Sequence, residues 1–266
     1  MGTPEVRIAG LALTLVILAA PLRAAVDPST FQSFSFRQHP GAQLPLDAQV
    51  VDAAGRPMSL ATALGGKPAV VVLEYLRCKN LCSLVLRGAV QAIASAGLSP
   101  GRDLNLVAVS IDPREKPTDA AAAQAMYARL FPDPGQAASG VRFFTGSPVE
   151  VRKIAGAIGF PYRYDPPTAQ FLHPAGFVVT TPTGKISRYM LGLSPNAAVL
   201  KKAVGEAGRD QVEPPAHPLL CLCFGYDPDE GSVAALSWRL ARIVSMALVV
   251  ACAALIAFLS LRRRWA

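Results

Sequence analysis

The stretch VVVLEYLRCKNLCSLVLRG, residues 70–88, passes from a continuous β-branched run into a helical pattern, with two cysteines at the change. Lys67–Leu76 has no polar alternation, which marks a strand buried on both faces. From Cys82 to Ala96 the apolar residues Leu84, Val85, Ala89, Ile93 and Ala96 recur at helical spacing, and Gly97 ends the run. Cys78 therefore falls in a strand-to-helix loop and Cys82 in the first helical turn. The spacing is C-x3-C, not the C-x2-C of a redox motif or a zinc knuckle. Residues four apart share a helix face, so the two sulfurs can converge. A helix N-terminus favours thiolate over thiol, and Arg77 and Lys79 add positive charge. Two converging thiolates suit a soft metal, Cu(I) first, or a reversible disulfide. A small stabilising disulfide is the plainer alternative, although so short a loop gains little chain entropy.

The rest of the chain continues the alternation. LPLDAQVVDAAGRPMSL (residues 44–60) predicts a hairpin turning at Ala54-Gly55, and Leu104–Ile111 a second buried strand ended by Asp112-Pro113. Thr118 or Asp119 is the expected cap of the helix that follows. VRFFTG is a short strand, and Ser147 with Pro148 opens another helix. GFVVTTPTGKISRYML is a hairpin turning at Pro182–Gly184. A final helix has Ser194 as its expected cap. Strands alternating with helices and closed by a hairpin predict an α/β domain with a mixed central sheet. No glycine-rich phosphate loop follows any strand, so nucleotide binding has no support.

The ends differ from this core. Hydrophobic residues make up 52% of the 266-residue chain, and the excess sits at its termini. Arg7 precedes the apolar run Ile8–Leu22, followed by Ala24 and Ala25, so residues 1–25 read as a signal peptide. Arg23 is out of place at such a cleavage site, and an uncleaved anchor is the rival reading. Residues 26–43 read as a tether, 44–209 as the folded domain and 210–242 as a proline-rich juxtamembrane segment. Ile243–Leu261 is an uncharged apolar run long enough to span a bilayer, bracketed by Trp238 and Trp265. Arg262–Arg264 lie in a short tail, residues 262–266, expected on the cytoplasmic side. The domain is then expected outside a bacterial cytoplasmic membrane, facing the periplasm or extracytoplasmic space. The net charge of +8 comes from scattered basic residues with no aromatic interleaving. It gives no nucleic-acid signal and suits anionic lipid or an acidic partner.

An oxidising compartment shapes the reading of the five cysteines. Cys252 lies in the apolar span. The other four form two local pairs, too few and too close for a disulfide scaffold. Of three histidines, His39 lies in the tether and reads as solvated surface. His173, just before the late hairpin, can reach the cysteine loop and complete a three-ligand copper set for Cu(I) or Cu(II). A purely structural histidine is the competing reading.

The segments LEYLRCKNLC, VSIDPREKPTDAAA, FFTGSPVEVRKIAGAIGF and FLHPAGFVVTTPTGKISRYMLG together resemble the Sco/SenC family, from about Leu44 to Gly208. The resemblance implies a membrane-tethered, thioredoxin-like protein that serves assembly of the copper centre of cytochrome c oxidase. It implies that Cys78, Cys82 and His173 bind one copper ion. Family members usually carry proline after each cysteine, where this chain has Lys79 and Ser83. Lys79 stabilises thiolates, which leaves room for a thiol–disulfide oxidoreductase that keeps the oxidase's copper-ligand cysteines reduced. HPLLCLCFGYDPDEG (residues 217–231) resembles the tail of a longer bacterial subgroup. There Cys221, Cys223 and His217 are an expected auxiliary copper site, against a disulfide or unligated thiols. Asp112 either borders the copper loop or simply forms an Asp-Pro turn. The expected partners are the copper-bearing oxidase subunit, a periplasmic copper donor and the membrane. A peroxide-reducing enzyme on the same fold is a third reading, but no cysteine here is marked for it.

Overall fold

The computed structural model describes residues 35–76 and 82–215, with the backbone alone at Cys82 and Ser83, and Val244 beyond them. The described elements run β1 (Gln49–Asp52), β2 (Pro57–Ser59), α1 (Leu60–Leu64), β3 (Ala69–Glu74), α2 (Cys82–Ser95), β4 (Asn105–Ser110), α3 (Pro117–Ala128), α4 (Pro134–Ala138) and β5 (Val141–Thr145). They continue with α5 (Pro148–Ile158), β6 (Arg163–Asp165), β7 (Gln170–Leu172), β8 (Gly176–Thr180), β9 (Ile186–Leu191) and α6 (Ala197–Ala207).

Seven strands form one mixed sheet in the order β2-β1-β5-β4-β3-β8-β9, and β6 and β7 form a separate ribbon. The centre is parallel, β3 beside β4 and β4 beside β5, while β1, β8 and β9 join antiparallel. The unbroken apolar run of β3 is explained by its central place. Val70 and Val72 enter one core with Leu86 and Ile93 of α2, Tyr127 of α3 and Leu200 of α6. Val71, Leu73 and Tyr75 enter the other with Leu64 of α1 and Ile154 and Ile158 of α5. Side chains of a strand alternate between faces, so a strand covered by helices on both sides needs apolar residues at every position. Each such side chain stabilises by about 1.5–3 kcal/mol when buried.

The predicted hairpins at residues 44–60 and 176–191 both form. Ser147 caps α5, its hydroxyl accepting from the Glu150 N–H. Two predicted caps are corrected. α3 begins at Pro117, so Asp119 lies inside the first turn, where its carboxylate accepts the Lys116 N–H at 2.7 Å. Asn196, not Ser194, caps α6 and accepts from the N–H groups of Ala198 and Val199. Asn196 lies directly before the first helical residue, the only place from which a cap can reach those donors.

Residues 35–43, read from the sequence as the end of a tether, lie against the domain. Phe36 packs edge-on against Phe160 and Tyr189, and Arg37 donates its N–H to the Gly159 carbonyl. Residues 41–44 bond to 184–186 beside the start of edge strand β9. Among the described residues, no helix is long and apolar enough to cross a membrane. Residues 1–25, read from the sequence as a signal peptide, and all of the apolar run 243–261 except Val244 lie outside them.

Candidate metal and thiol site

The site grows from the C-terminal ends of β3 and β4. β3 closes at Glu74, and Tyr75 and Leu76 lead toward the cysteine loop. In register with Glu74, Ser110 closes β4, and the turn Asp112–Glu115 folds back across the strand ends. Asp112 is buried, and its carboxylate accepts from both the backbone and the guanidinium of Arg114, an Asx-type turn closed by an ion pair at 2.8 Å. The duller reading of Asp112, as a turn former, is what its described bonds express.

Glu115 was missed by the sequence reading. One buried carboxylate oxygen accepts the Leu76 N–H at 2.9 Å and the Ser110 hydroxyl at 2.5 Å. It thus ties the backbone two residues before Cys78 to the end of the neighbouring strand. The available signal was the acid after the Asp-Pro turn: a strand-end N–H leaving a buried sheet needs an acceptor, and a following loop is the nearest source.

His173 is the first residue after β7. Its ring stacks on Phe160 with centroids 5.4 Å apart and meets Tyr75 edge-on at 6.2 Å. The ribbon β6–β7, also absent from the sequence reading, delivers it there, with Phe171 packed on Tyr75 at 5.5 Å. His173 is therefore brought to the end of β3, the strand that leads into the cysteine loop. Its Nδ1 lies 2.8 Å from the Pro174 carbonyl. A carbonyl can only accept, so Nδ1 carries the proton and the lone pair is on Nε2, the tautomer a metal ligand needs. Burial pushes the His173 pKa below its ordinary value, against a smaller opposing effect of the Pro174 bond. At neutral pH the ring is uncharged. His39, read as surface, is exposed, and its backbone N–H donates to the Tyr189 hydroxyl.

Cys78 lies outside the described residues, and of Cys82 the backbone alone is described, as the first residue of α2. His217, Cys221 and Cys223 lie outside them too. Among the described residues no group of three or more histidine, cysteine, aspartate or glutamate side chains can hold a metal ion.

A mixed sheet with helices on both faces, a cysteine at the start of the helix after its central strand and a histidine carried back to that strand's end form a thioredoxin-like arrangement. A family model described as SCO1/SenC matches residues 38–207, and the chain belongs to that family. No protein with a curated description matches significantly. Among solved structures, a putative electron transfer protein from Aquifex aeolicus VF5 is similar at 25% identity and a TM-score of 0.55, over 64% of this chain and 94% of that one. A SCO1/SenC family lipoprotein from Bacillus anthracis str. Ames shares 19% identity at a TM-score of 0.50, over 65% and 99%. Arabidopsis thaliana ScoI, solved with copper bound, shares 18% at 0.47, over 64% and 98%.

Proposed function

We propose that this protein is a membrane-anchored copper metallochaperone that delivers copper to the binuclear copper centre of cytochrome c oxidase during assembly. Cys78, Cys82 and His173 hold the ion. The observation that carries this reading is the tautomer and position of His173: its Nδ1–H is committed to Pro174, its Nε2 lone pair is held on a neutral ring, and its ring packs on Tyr75, three residues before Cys78. Two thiolates and one imidazole form a soft, three-coordinate set that binds Cu(I) or Cu(II) and leaves room for ligand exchange with an acceptor. The folded domain lies on the extracytoplasmic side, held by the apolar run 243–261. Cys221, Cys223 and His217 form an auxiliary copper site near the membrane.

A second reading is favoured by Arg77 and Lys79, which flank Cys78 in sequence and whose positive charge stabilises thiolate. On that reading the pair is a reductant for the oxidase's copper-ligand cysteines. The two readings part at His173, which only the chaperone needs. Copper stoichiometry and Cu(II) spectra of the wild type and the His173→Ala variant test them. One Cu(II) with a thiolate charge-transfer band, lost in the variant, is expected. A wild type without tight copper, whose dithiol titrates reversibly against glutathione in both proteins, would leave the reductase in its place.

A further inference from the structure

Two open cavities, of about 370 and 320 Å³, lie side by side on the α5 face of the sheet and share Arg152, Tyr162 and Tyr164. They form one groove, from Arg114 at the end of β4 past α5 to Phe160. Its lining carries three guanidiniums, of Arg114, Arg152 and Arg163, and one carboxylate, that of Asp112. Asp112 is already closed on Arg114 at 2.8 Å. Arg152 is exposed and pairs with no acidic group among the described residues. The Arg114 guanidinium lies 4.9 Å above the Tyr164 ring, and its Nη1 donates to the Tyr164 hydroxyl at 3.4 Å. The floor is aromatic. Tyr164 packs on Phe171 at 5.2 Å and Tyr162 on Phe160 at 6.4 Å.

That floor is also the wall of the histidine. Phe160 stacks on His173 from the groove side, and Phe171 packs on Tyr75 at the end of β3. Whatever occupies the groove is held one aromatic ring away from His173. Planar guanidiniums grip carboxylates in forked pairs, and tyrosines add hydroxyl donors on an apolar face. A cationic groove with unspent positive charge selects an acidic segment.

We propose that this groove docks an acidic segment of the copper acceptor and so orients the acceptor's site beside His173, a proposal that rests on the chaperone reading. The Arg152 guanidinium, which lines both cavities together with Tyr162 and Tyr164, is the anchor, and the aromatic floor takes an apolar side chain next to the acid.

The test uses the full chain in neutral detergent, with the apo copper-bearing oxidase subunit as probe. Binding is followed by titration calorimetry and by the NMR signals of the His173 ring, and the bound copper of each variant is counted separately. Arg152→Glu is expected to weaken subunit binding at least tenfold and Arg152→Lys less, because lysine keeps the charge and loses the fork. Raised salt should weaken the wild-type complex. Arg129→Glu, at the far end of α3, should bind as the wild type does. Copper stoichiometry should be unchanged in all three variants, so a wild type without copper fails the chaperone reading and is recognisable apart from this one. Subunit binding unaffected by Arg152→Glu would overturn the groove. So would Arg152-dependent binding of phosphatidylglycerol bicelles with no Arg152-dependent binding of the subunit, since the groove would then be a lipid site.

Discussion

Glu115 and Leu76 are joined by a 2.9 Å hydrogen bond from the Leu76 N–H to a buried carboxylate that also takes the Ser110 hydroxyl. The bond fixes where the backbone leaves β3, and so the direction in which the cysteine loop begins. Glu115 follows a turn closed by Asp112 and Arg114, so the turn after β4 sets the exit of β3. His173 and the start of the cysteine loop are held from different elements. Here the ribbon β6–β7 supports one and the β4 turn the other.

Replacing Glu115 with alanine strands the Leu76 N–H and leaves the Ser110 hydroxyl only its 3.3 Å contact to the Asp112 carbonyl. Leaving a buried polar group unmade costs about 1–3 kcal/mol. Glu115→Ala should therefore lower stability by an amount in that range, whereas Glu115→Gln, whose amide oxygen can accept both bonds, should recover most of it. Denaturant unfolding of the three proteins checks this. Equal loss in both variants would mean that the charge of Glu115, and not its acceptor role, matters.

The pH response of His173 has a definite sign. Burial lowers its folded-state pKa beneath the ordinary value of about 6.5. Between those two values the unfolded chain binds more protons than the folded one, so stability rises with pH through that window. The contribution of His173 is fully present above about pH 6.5 and is lost as the pH falls toward the folded-state pKa. In the metal-free protein an NMR titration of the ring should give a midpoint below 6.5. A midpoint at or above that value would remove the neutral-ring argument for Nε2.

Much of this fold was legible because its signals are local. The runs at Val70–Leu73 and Leu106–Val109 needed no context, since a central strand covered on both sides admits only apolar residues. The hairpin at Gly184 and the Ser147-Pro148 start of α5 carry their own turn and cap chemistry. What stayed hidden was set by tertiary contact. The ribbon β6–β7 is two three-residue strands with mostly polar or aromatic residues, too short for any period to show. The docking of residues 35–43 depends on Phe36 meeting Phe160 and Tyr189, more than a hundred residues away. At the site, His173 was legible as a candidate by its rarity. Glu115 was not, because the donors it accepts from, the Leu76 N–H and the Ser110 hydroxyl, sit at the ends of two strands that only the folded sheet brings together.

The correction at α6 is itself testable. Asn196 accepts two of the N–H groups that a helix start leaves without intrahelical partners. Asn196→Ala should cost about 1 kcal/mol, the usual worth of such a cap, and Ser194→Ala close to nothing. Thermal unfolding of the pair decides between the two positions, and the reverse order would restore Ser194 as the cap.

Gly159 and Gly156, three residues apart, should respond to alanine with opposite sign. Gly156 is inside α5 with open space where a Cβ would stand. Alanine there removes unfolded-state freedom and should stabilise by about 0.5–1 kcal/mol. Gly159 ends the helix at φ +67°, and a Cβ would lie 1.8 Å from the Arg37 carbonyl oxygen. Alanine at 159 must pay left-handed strain and also push the 36–39 segment away, which together should destabilise by about 2–4 kcal/mol. Phe36 would then leave Phe160, the ring on which His173 stacks, so Gly159→Ala should also shift the His173 ring resonances, and Gly156→Ala should disturb them less. Unfolding curves and ring spectra of both variants check the pair. Unmoved His173 signals in a destabilised Gly159→Ala protein would show that the docked N-terminal segment and the histidine wall are independent.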